Sequence, residues 1–236
     1  MKAQIKSLIK KLPFDFTRNQ KYDRETKKII RRVCRPGSNC IDVGCHKGEI
    51  LDFIKKTSPH GIHYGFEPIP ELFENLKRKY QNTNCRIYQL AISNRKGQSS
   101  FNYVVSNPSY SGLKKRKYDR PAERDMQIMV DTDTIDNIIP DIKIDFVKVD
   151  VEGAEILVFE GARKMLATYK PVVVFEYGIG GSDFYGADPE KMFGLLNSLG
   201  LNISLLEKWL RKEPPLTFNE FAKQYYEKLN FVFIAY

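Results

Sequence analysis

Chemistry in this chain is concentrated on acids placed at the ends of short apolar runs. Asp42, Glu67, Asp150 and Glu176 all stand in or just after such runs. The richest stretch is Phe146-Val147-Lys148-Val149-Asp150-Val151-Glu152-Gly153-Ala154-Glu155. Its alternation puts Lys148, Asp150 and Glu152 on one side of an extended chain. Polar groups that interrupt a buried strand are costly without partners, so they either pair with one another or face a ligand. Asp150 and Glu176 are candidate catalytic bases for a hydroxyl, a role that contributes typically about 10²–10⁴-fold. Lys148 is placed to orient these acids or to lower a neighbour's pKa. His46 is a rival base. Asp150 and Glu176 are also hard oxygen donors at two strand ends, which Mg²⁺ would accept. Two ligands are few for a metal, so a metal-free site is the stronger expectation.

The second feature is Cys40-Ile41-Asp42-Val43-Gly44-Cys45-His46-Lys47-Gly48-Glu49, a strand running into a glycine-bounded turn before a helix. Glycine lets backbone approach a ligand closely. The spacing is G-x-x-x-G, without the middle glycine of the dinucleotide fingerprint G-x-G-x-x-G. Asp42 would repel a phosphate and suits a ligand bearing an ammonium group. Glu67 closes the next strand, where a carboxylate can accept both hydroxyls of a ribose at about 1.5–3 kcal/mol per charge-assisted bond.

The elements that must hold these residues alternate. After a basic helix over 21–33 come a strand at 40–44, a helix at 49–56, a strand at 62–66, a helix at 70–80 and a strand at 86–92. This rhythm argues for a parallel sheet with right-handed crossovers. Residues 99–105 and 127–130 read as strands around a polar insertion at about 106–125, which contains Lys114-Lys115-Arg116-Lys117. The run 144–149 has the composition of a central strand buried on both faces. A helix at 153–167, a strand at 171–175, a helix at 189–199 and a pair of strands at 201–206 and 231–236 complete the chain. The expected organisation is an N-terminal basic helical segment, 1–36, and one α/β domain, 37–236.

The chain has 236 residues, a net charge of +9 and four cysteines, Cys34, Cys40, Cys45 and Cys85, with no C-x-x-C pair. The size fits one domain with its own core. No apolar run approaches a membrane span, and reduced cysteines without a leader suggest the cytoplasm. The charge favours anionic partners. Ile5, Leu8, Ile9 and Leu12 share one helical face with lysines away from it, so residues 1–14 suit peripheral contact with an anionic membrane.

Asp42-Val-Gly-Cys-His-Lys-Gly48, Phe66-Glu67-Pro68, Leu90-Ala91-Ile92-Ser93 with Gly97, Thr134-Ile-Asp136, Phe146 to Glu155, Gly161, and Pro171-Val-Val-Val-Phe-Glu176 occur in this order. Over about residues 37–178 the chain resembles FkbM-type methyltransferases. The resemblance implies the Rossmann-like class I fold, a seven-stranded, mostly parallel α/β sheet with helices on both faces and an antiparallel C-terminal strand. It also implies S-adenosylmethionine as methyl donor and O-methylation, often of sugar or polyketide hydroxyls. Donor contacts are expected from Asp42, Gly44, Cys45, Gly48, Glu67, Ala91, Ile92 and Asp150. Cys45-His46 departs from the Ala-Asn more usual in the family, which bears on contacts to the methionine end.

The acceptor is therefore expected to be a small-molecule or glycan hydroxyl, lipid-linked or phosphate-bearing forms included. Tyr110, Ser111, Lys114, Lys115 and Arg116 in the insertion are candidates to meet it. Three rivals remain. Asn107-Pro108-Ser109-Tyr110 is similar to the Asn-Pro-Pro-Tyr motif of adenine-N6 methyltransferases, but the strand before it alternates, so nucleic acid is disfavoured. A nicotinamide-dependent oxidoreductase lacks its glycine fingerprint. A membrane-surface module would use the first helix and the basic surface alone.

Overall fold

The computed structural model describes residues 17–118 and 122–236. The amphipathic segment 1–14 lies outside the described residues. Helix α1 (Arg18–Val33) opens on Thr17, whose hydroxyl accepts the Gln20 N–H while Gln20 reaches back to the Thr17 N–H, a reciprocal cap. It buries Ile29 and Ile30 against Phe146, Val174 and Ile234 of the sheet. Then follow β1 (Cys40–Val43), α2 (Glu49–Thr57), β2 (His63–Phe66), α3 (Pro70–Tyr80), β3 (Cys85–Tyr88), β4 (Ala91–Ile92), β5 (Gly97–Val104), β6 (Asp125–Asp133), α4 (Ile135–Ile138), β7 (Phe146–Val149), α5 (Glu155–Glu160), α6 (Arg163–Tyr169), β8 (Val172–Glu176), α7 (Pro189–Ser198), β9 (Ile203–Leu205), α8 (Leu206–Leu210), α9 (Phe218–Tyr226) and β10 (Val232–Ala235).

Seven strands form the main sheet in the order β3-β2-β1-β7-β8-β10-β9. The first five are parallel, and β10 runs antiparallel to both β8 and β9. Every residue of β1, β2, β7 and β10 is buried, as expected of strands covered on both faces. Chain order reverses between β1 and β7, and ligands in open α/β sheets bind beyond the strand ends at such a point. This is the class I methyltransferase arrangement that the resemblance implies. Among the described residues no helix is long and apolar enough to cross a membrane.

Three elements depart from the sequence expectation. The single strand at 86–92 is two. Glu67 N–H donates to the Tyr88 carbonyl at 3.1 Å, but the Ile69 N–H, next on that side, donates to the Glu67 carboxylate at 3.0 Å instead of continuing the ladder. The chain leaves the sheet there, and β4 pairs with β6 instead. The helix at 153–167 is also two. Gly161 runs against the Ser93 carbonyl, where a Cβ would lie 2.1 Å away. The Asp136 carboxylate then starts α6 afresh by accepting the Lys164 and Met165 N–H groups at 2.8 and 2.9 Å. Finally, β6 is longer than 127–130 and pairs along all of β5, so that β4, β6 and β5 form a second sheet.

Candidate active site

The site is built where β1 and β7 end side by side. Asp150 N–H donates to the Val43 carbonyl at 3.0 Å, and Gly44 N–H to the Phe66 carbonyl at 3.0 Å. Gly44 has φ +78°, and a Cβ there would lie 1.9 Å from the Asp150 carbonyl oxygen. Glycine is thus required both by conformation and by space. The turn then passes through His46, also at positive φ (48°), to Gly48.

Beyond that turn lies an inner pocket. Gly44, His46, Glu67 and Asp150 supply its polar side, and Ile69, Leu90, Ile92, Phe101 and Leu113 form an apolar wall. Glu67 is 4% exposed. Its Oε2 accepts the His46 N–H at 2.8 Å and its Oε1 the Ile69 N–H at 3.0 Å. Each oxygen keeps a second lone pair for a ligand hydroxyl. Burial pushes the Glu67 carboxyl up to about 7, against the pull of these two bonds. His46 is held below its ordinary pKa by burial and by Lys47, and its Nε2 is buried without a partner.

Behind the pocket, Asp42 and Lys148 are in-register neighbours on β1 and β7. Asp42 is buried, with Oδ2 unpartnered. Burial raises its pKa to about 7, with Lys148 opposing and Asp150 adding to the rise. Lys148 Nζ lies 3.0 Å from Asp150 Oδ2. Burial disfavours the Lys148 ammonium, but the charge and hydrogen bond of Asp150 outweigh it and raise its pKa. Burial likewise works against the Asp150 carboxylate, and Lys148 more than compensates, leaving it below the usual range. Burial and then the Asp150 charge drive Glu176 well above the usual range. The pair thus favours the proton on Glu176 and the charge on Asp150. Although deep in the site, 39% of the Asp150 side chain is open to the cavities.

On the far side of Asp150 is an outer cleft of about 1330 Å³, above the roughly 300–1,000 Å³ usual for small-molecule pockets. Lys148, Glu155, Glu176 and Tyr177 line its floor, and α1 and the 228–232 segment contribute one wall. Ser109, Asp150 and Glu152 line both cavities. Glu155 is 1% exposed. One of its oxygens accepts the Val151 and Gly153 N–H groups at 3.2 Å, the other has no partner, and burial raises its pKa to about 7.

The insertion closes the junction as a strap. Asn102, 1% exposed, exchanges backbone hydrogen bonds with Gly112 at 2.8 and 3.2 Å and bonds Tyr118 through its side chain. Arg116 pairs with Glu152 and stacks over Tyr110 at 5.5 Å. Lys114 N–H donates to the Tyr185 hydroxyl and its Nζ to the Phe184 carbonyl, both at 2.8 Å, and Lys115 pairs with Asp125 at 2.9 Å.

Of the residues singled out in the sequence, Gly44, His46, Glu67, Ala91, Ile92 and Asp150 line the inner pocket. Lys148, Asp150 and Glu176 line the outer cleft. Asp42, Cys45 and Gly48 stand behind these surfaces. Cys45 packs with Leu51, Leu76, Tyr80 and Cys85, and the Gly48 carbonyl accepts the Tyr80 hydroxyl at 3.0 Å. Tyr110 and Arg116 border the cleft, Ser111 borders the pocket, and Lys114 and Lys115 are spent on holding the strap. The sequence reading missed the wall made by α1 and the apolar wall from Phe101 and Leu113. The buried Asn102 in an alternating strand was the available signal for the strap.

The profile of the methyltransferase FkbM domain matches residues 42–202. Among solved structures the chain is similar to a methyltransferase FkbM from Methylobacillus flagellatus KT, with a TM-score of 0.52 and 16% identity, covering 86% of this chain and 44% of that one. It therefore spans less than half the length of that protein. It is also similar to SMU.1697c, a putative methyltransferase from Streptococcus mutans solved with S-adenosylhomocysteine. That match has a TM-score of 0.47 and 11% identity, with 89% and 94% of the two chains covered. No curated protein matches the sequence.

Proposed function

Because the chain belongs to the FkbM methyltransferase family, and so to the S-adenosylmethionine-dependent methyltransferases, we propose that it O-methylates a hydroxyl of a sugar, glycan or polyketide-like small molecule. The observation that carries this reading is that two cavities meet at Asp150, a carboxylate lining both and paired with Lys148. The inner pocket fits the donor. It offers an acid with spare lone pairs, Glu67, an apolar wall for a flat base, and an orphaned polar atom, His46 Nε2. Asp42 lies beneath the glycine turn and contributes charge from behind.

When bound, the donor supplies an electrophilic methyl group on a sulfonium whose C–S electron pair returns to sulfur. The chain's residues supply position and proton transfer. Asp150 faces both cavities, is ionised, and is oriented by Lys148. It is the residue placed to take the acceptor hydroxyl proton, a role worth typically about 10²–10⁴-fold. Burial and the Asp150 charge favour the protonated form of Glu176, which makes it a hydrogen-bond donor to Asp150. Holding the acceptor oxygen in line with the methyl group supplies much of the remainder. Lys148 provides the counter-charge beside Asp150 that Mg²⁺ would provide in a metal-dependent site, and among the described residues no group of three His, Cys, Asp or Glu is disposed to hold a metal.

Calorimetric titration with S-adenosylhomocysteine, with and without Mg²⁺, tests the donor assignment. Micromolar binding indifferent to Mg²⁺ is expected, and no binding by a folded sample would refute it. One observation favours a second reading. Pro108 and Ser109 of the Asn107-Pro108-Ser109-Tyr110 string line the inner pocket, and Asn107, Ser109 and Tyr110 line the outer cleft. Transfer to a nucleobase amine would use that edge, and tight, salt-sensitive oligonucleotide binding would move the assignment there.

A further inference from the structure

The outer cleft carries a charge pattern that the transfer chemistry does not use. Five cations and five acids line it: Arg18, Arg116, Lys117, Lys148 and Lys228 against Asp23, Asp150, Glu152, Glu155 and Glu176. Two pairs cancel within the site, Lys148 with Asp150 and Arg116 with Glu152. Burial pushes Glu176 well above its ordinary range and Glu155 up to about 7, which favours their uncharged forms. Arg18, Lys117 and Lys228 then stand against Asp23, which is not free either.

The run Lys114-Lys115-Arg116-Lys117 makes the same point locally. Its first three members are engaged with Phe184, Asp125 and Glu152. Lys117 is exposed on the cleft and makes no ion pair with any of the described residues. Lys228 comes from a separate element, at the end of α9, where it adopts φ +53°. The Arg18 guanidinium grips the Lys228 and Leu229 carbonyls at 3.3 and 3.4 Å, so backbone contacts fix the base of Lys228 while its ammonium stays exposed. Two segments thus present cations unpaired among the described residues to one cleft whose interior charges largely offset one another. Such a site attracts an anion near its mouth while leaving a neutral hydroxyl free to approach the interior.

We infer that the acceptor is an acidic sugar, bearing a phosphate or carboxylate that Lys117 and Lys228 read at the cleft mouth while its hydroxyl reaches Asp150. The inference rests on the methyltransfer reading above and deepens it by naming the class of acceptor.

The test uses the full chain saturated with S-adenosylhomocysteine and titrated with glucose, glucose 6-phosphate and glucuronate. The two acidic sugars are expected to bind and glucose to bind at least about 10-fold more weakly, the worth of one charge-assisted contact. Lys117→Ala/Lys228→Ala is expected to lose the preference while retaining wild-type affinity for S-adenosylhomocysteine, since neither lysine lines the donor pocket. The two acids separate the sources of charge: binding of glucose 6-phosphate alone assigns phosphate, and binding of glucuronate alone assigns carboxylate. Equal binding of glucose and both acids, or a preference that survives the double substitution, overturns the proposal while leaving the methyltransfer reading intact. Failure to bind S-adenosylhomocysteine at the outset instead overturns that reading.

Discussion

Replacing Glu67 by Gln separates the structural work of this residue from its proposed work on the donor. The wild-type carboxylate receives the His46 N–H on one oxygen and the Ile69 N–H on the other. A carboxamide offers only one oxygen, so one of these N–H groups faces an NH₂ and is left unsatisfied. That costs about 1–3 kcal/mol of stability, visible as a lower melting temperature in a protein that still folds. The same change removes one charged acceptor from the ribose position. At about 1.5–3 kcal/mol for a charge-assisted bond, affinity for S-adenosylhomocysteine falls by roughly 10- to 140-fold.

The assay is calorimetry at a pH where the wild-type carboxyl is ionised. Burial sets that carboxyl at about 7, and its protonated form is the weaker acceptor. Wild-type affinity should therefore weaken between about pH 8 and pH 6. Asp42, also raised to about 7 by burial, keeps its own share, so the slope in Glu67→Gln falls without vanishing. A folded Glu67→Gln that binds S-adenosylhomocysteine as tightly as wild type, with the same pH slope, would refute the ribose assignment.

Asp150→Asn should bind S-adenosylhomocysteine nearly as wild type does but lose about 10²-fold or more in turnover; retained turnover would remove Asp150 as the base. Lys148→Met takes away the cation that holds Asp150 low, so the acid limb of the turnover profile should move about one to three units toward higher pH. An unmoved limb would show that the pair does not set the proton affinity of the base. Gly44→Ala must adopt a left-handed conformation costing about 1–2 kcal/mol and also place a Cβ 1.9 Å from the Asp150 carbonyl. Its denaturation midpoint should fall accordingly, and an unchanged midpoint would contradict the close approach of β1 and β7.

The main sheet was legible because its central strands are short, almost wholly apolar and end in acids. That pattern located Glu67, Asp150 and Glu176 as well as the strands. The proton distribution was not legible. It depends on Lys148, 3.0 Å from Asp150, also lying beside Asp42 across two strands, and Asp42 and Lys148 stand more than a hundred positions apart in the chain. The broken helix after Gly153 depends on Asp136 capping α6 from another element, while local propensity favours continuation. The basic run 114–117 looked uniform in sequence. Only folding assigns its charges to Phe184, Asp125 and Glu152 and leaves Lys117 over. Helix α1 read as a separate basic segment, although its N-terminal half walls the outer cleft; its polar face gave no periodic signal of that role.

The central claim is that a methyl group crosses from the inner pocket to a hydroxyl held in the outer cleft. The most direct measurement supplies S-adenosylmethionine labelled with carbon-13 in the methyl group, together with neutral sugars, sugar phosphates and uronic acids. Products are then read by carbon NMR. A new O-methyl ether signal, formed in step with S-adenosylhomocysteine and absent with Asp150→Asn, is the predicted result. Label appearing only on nitrogen, or O-methylation undiminished in Asp150→Asn, would contradict it.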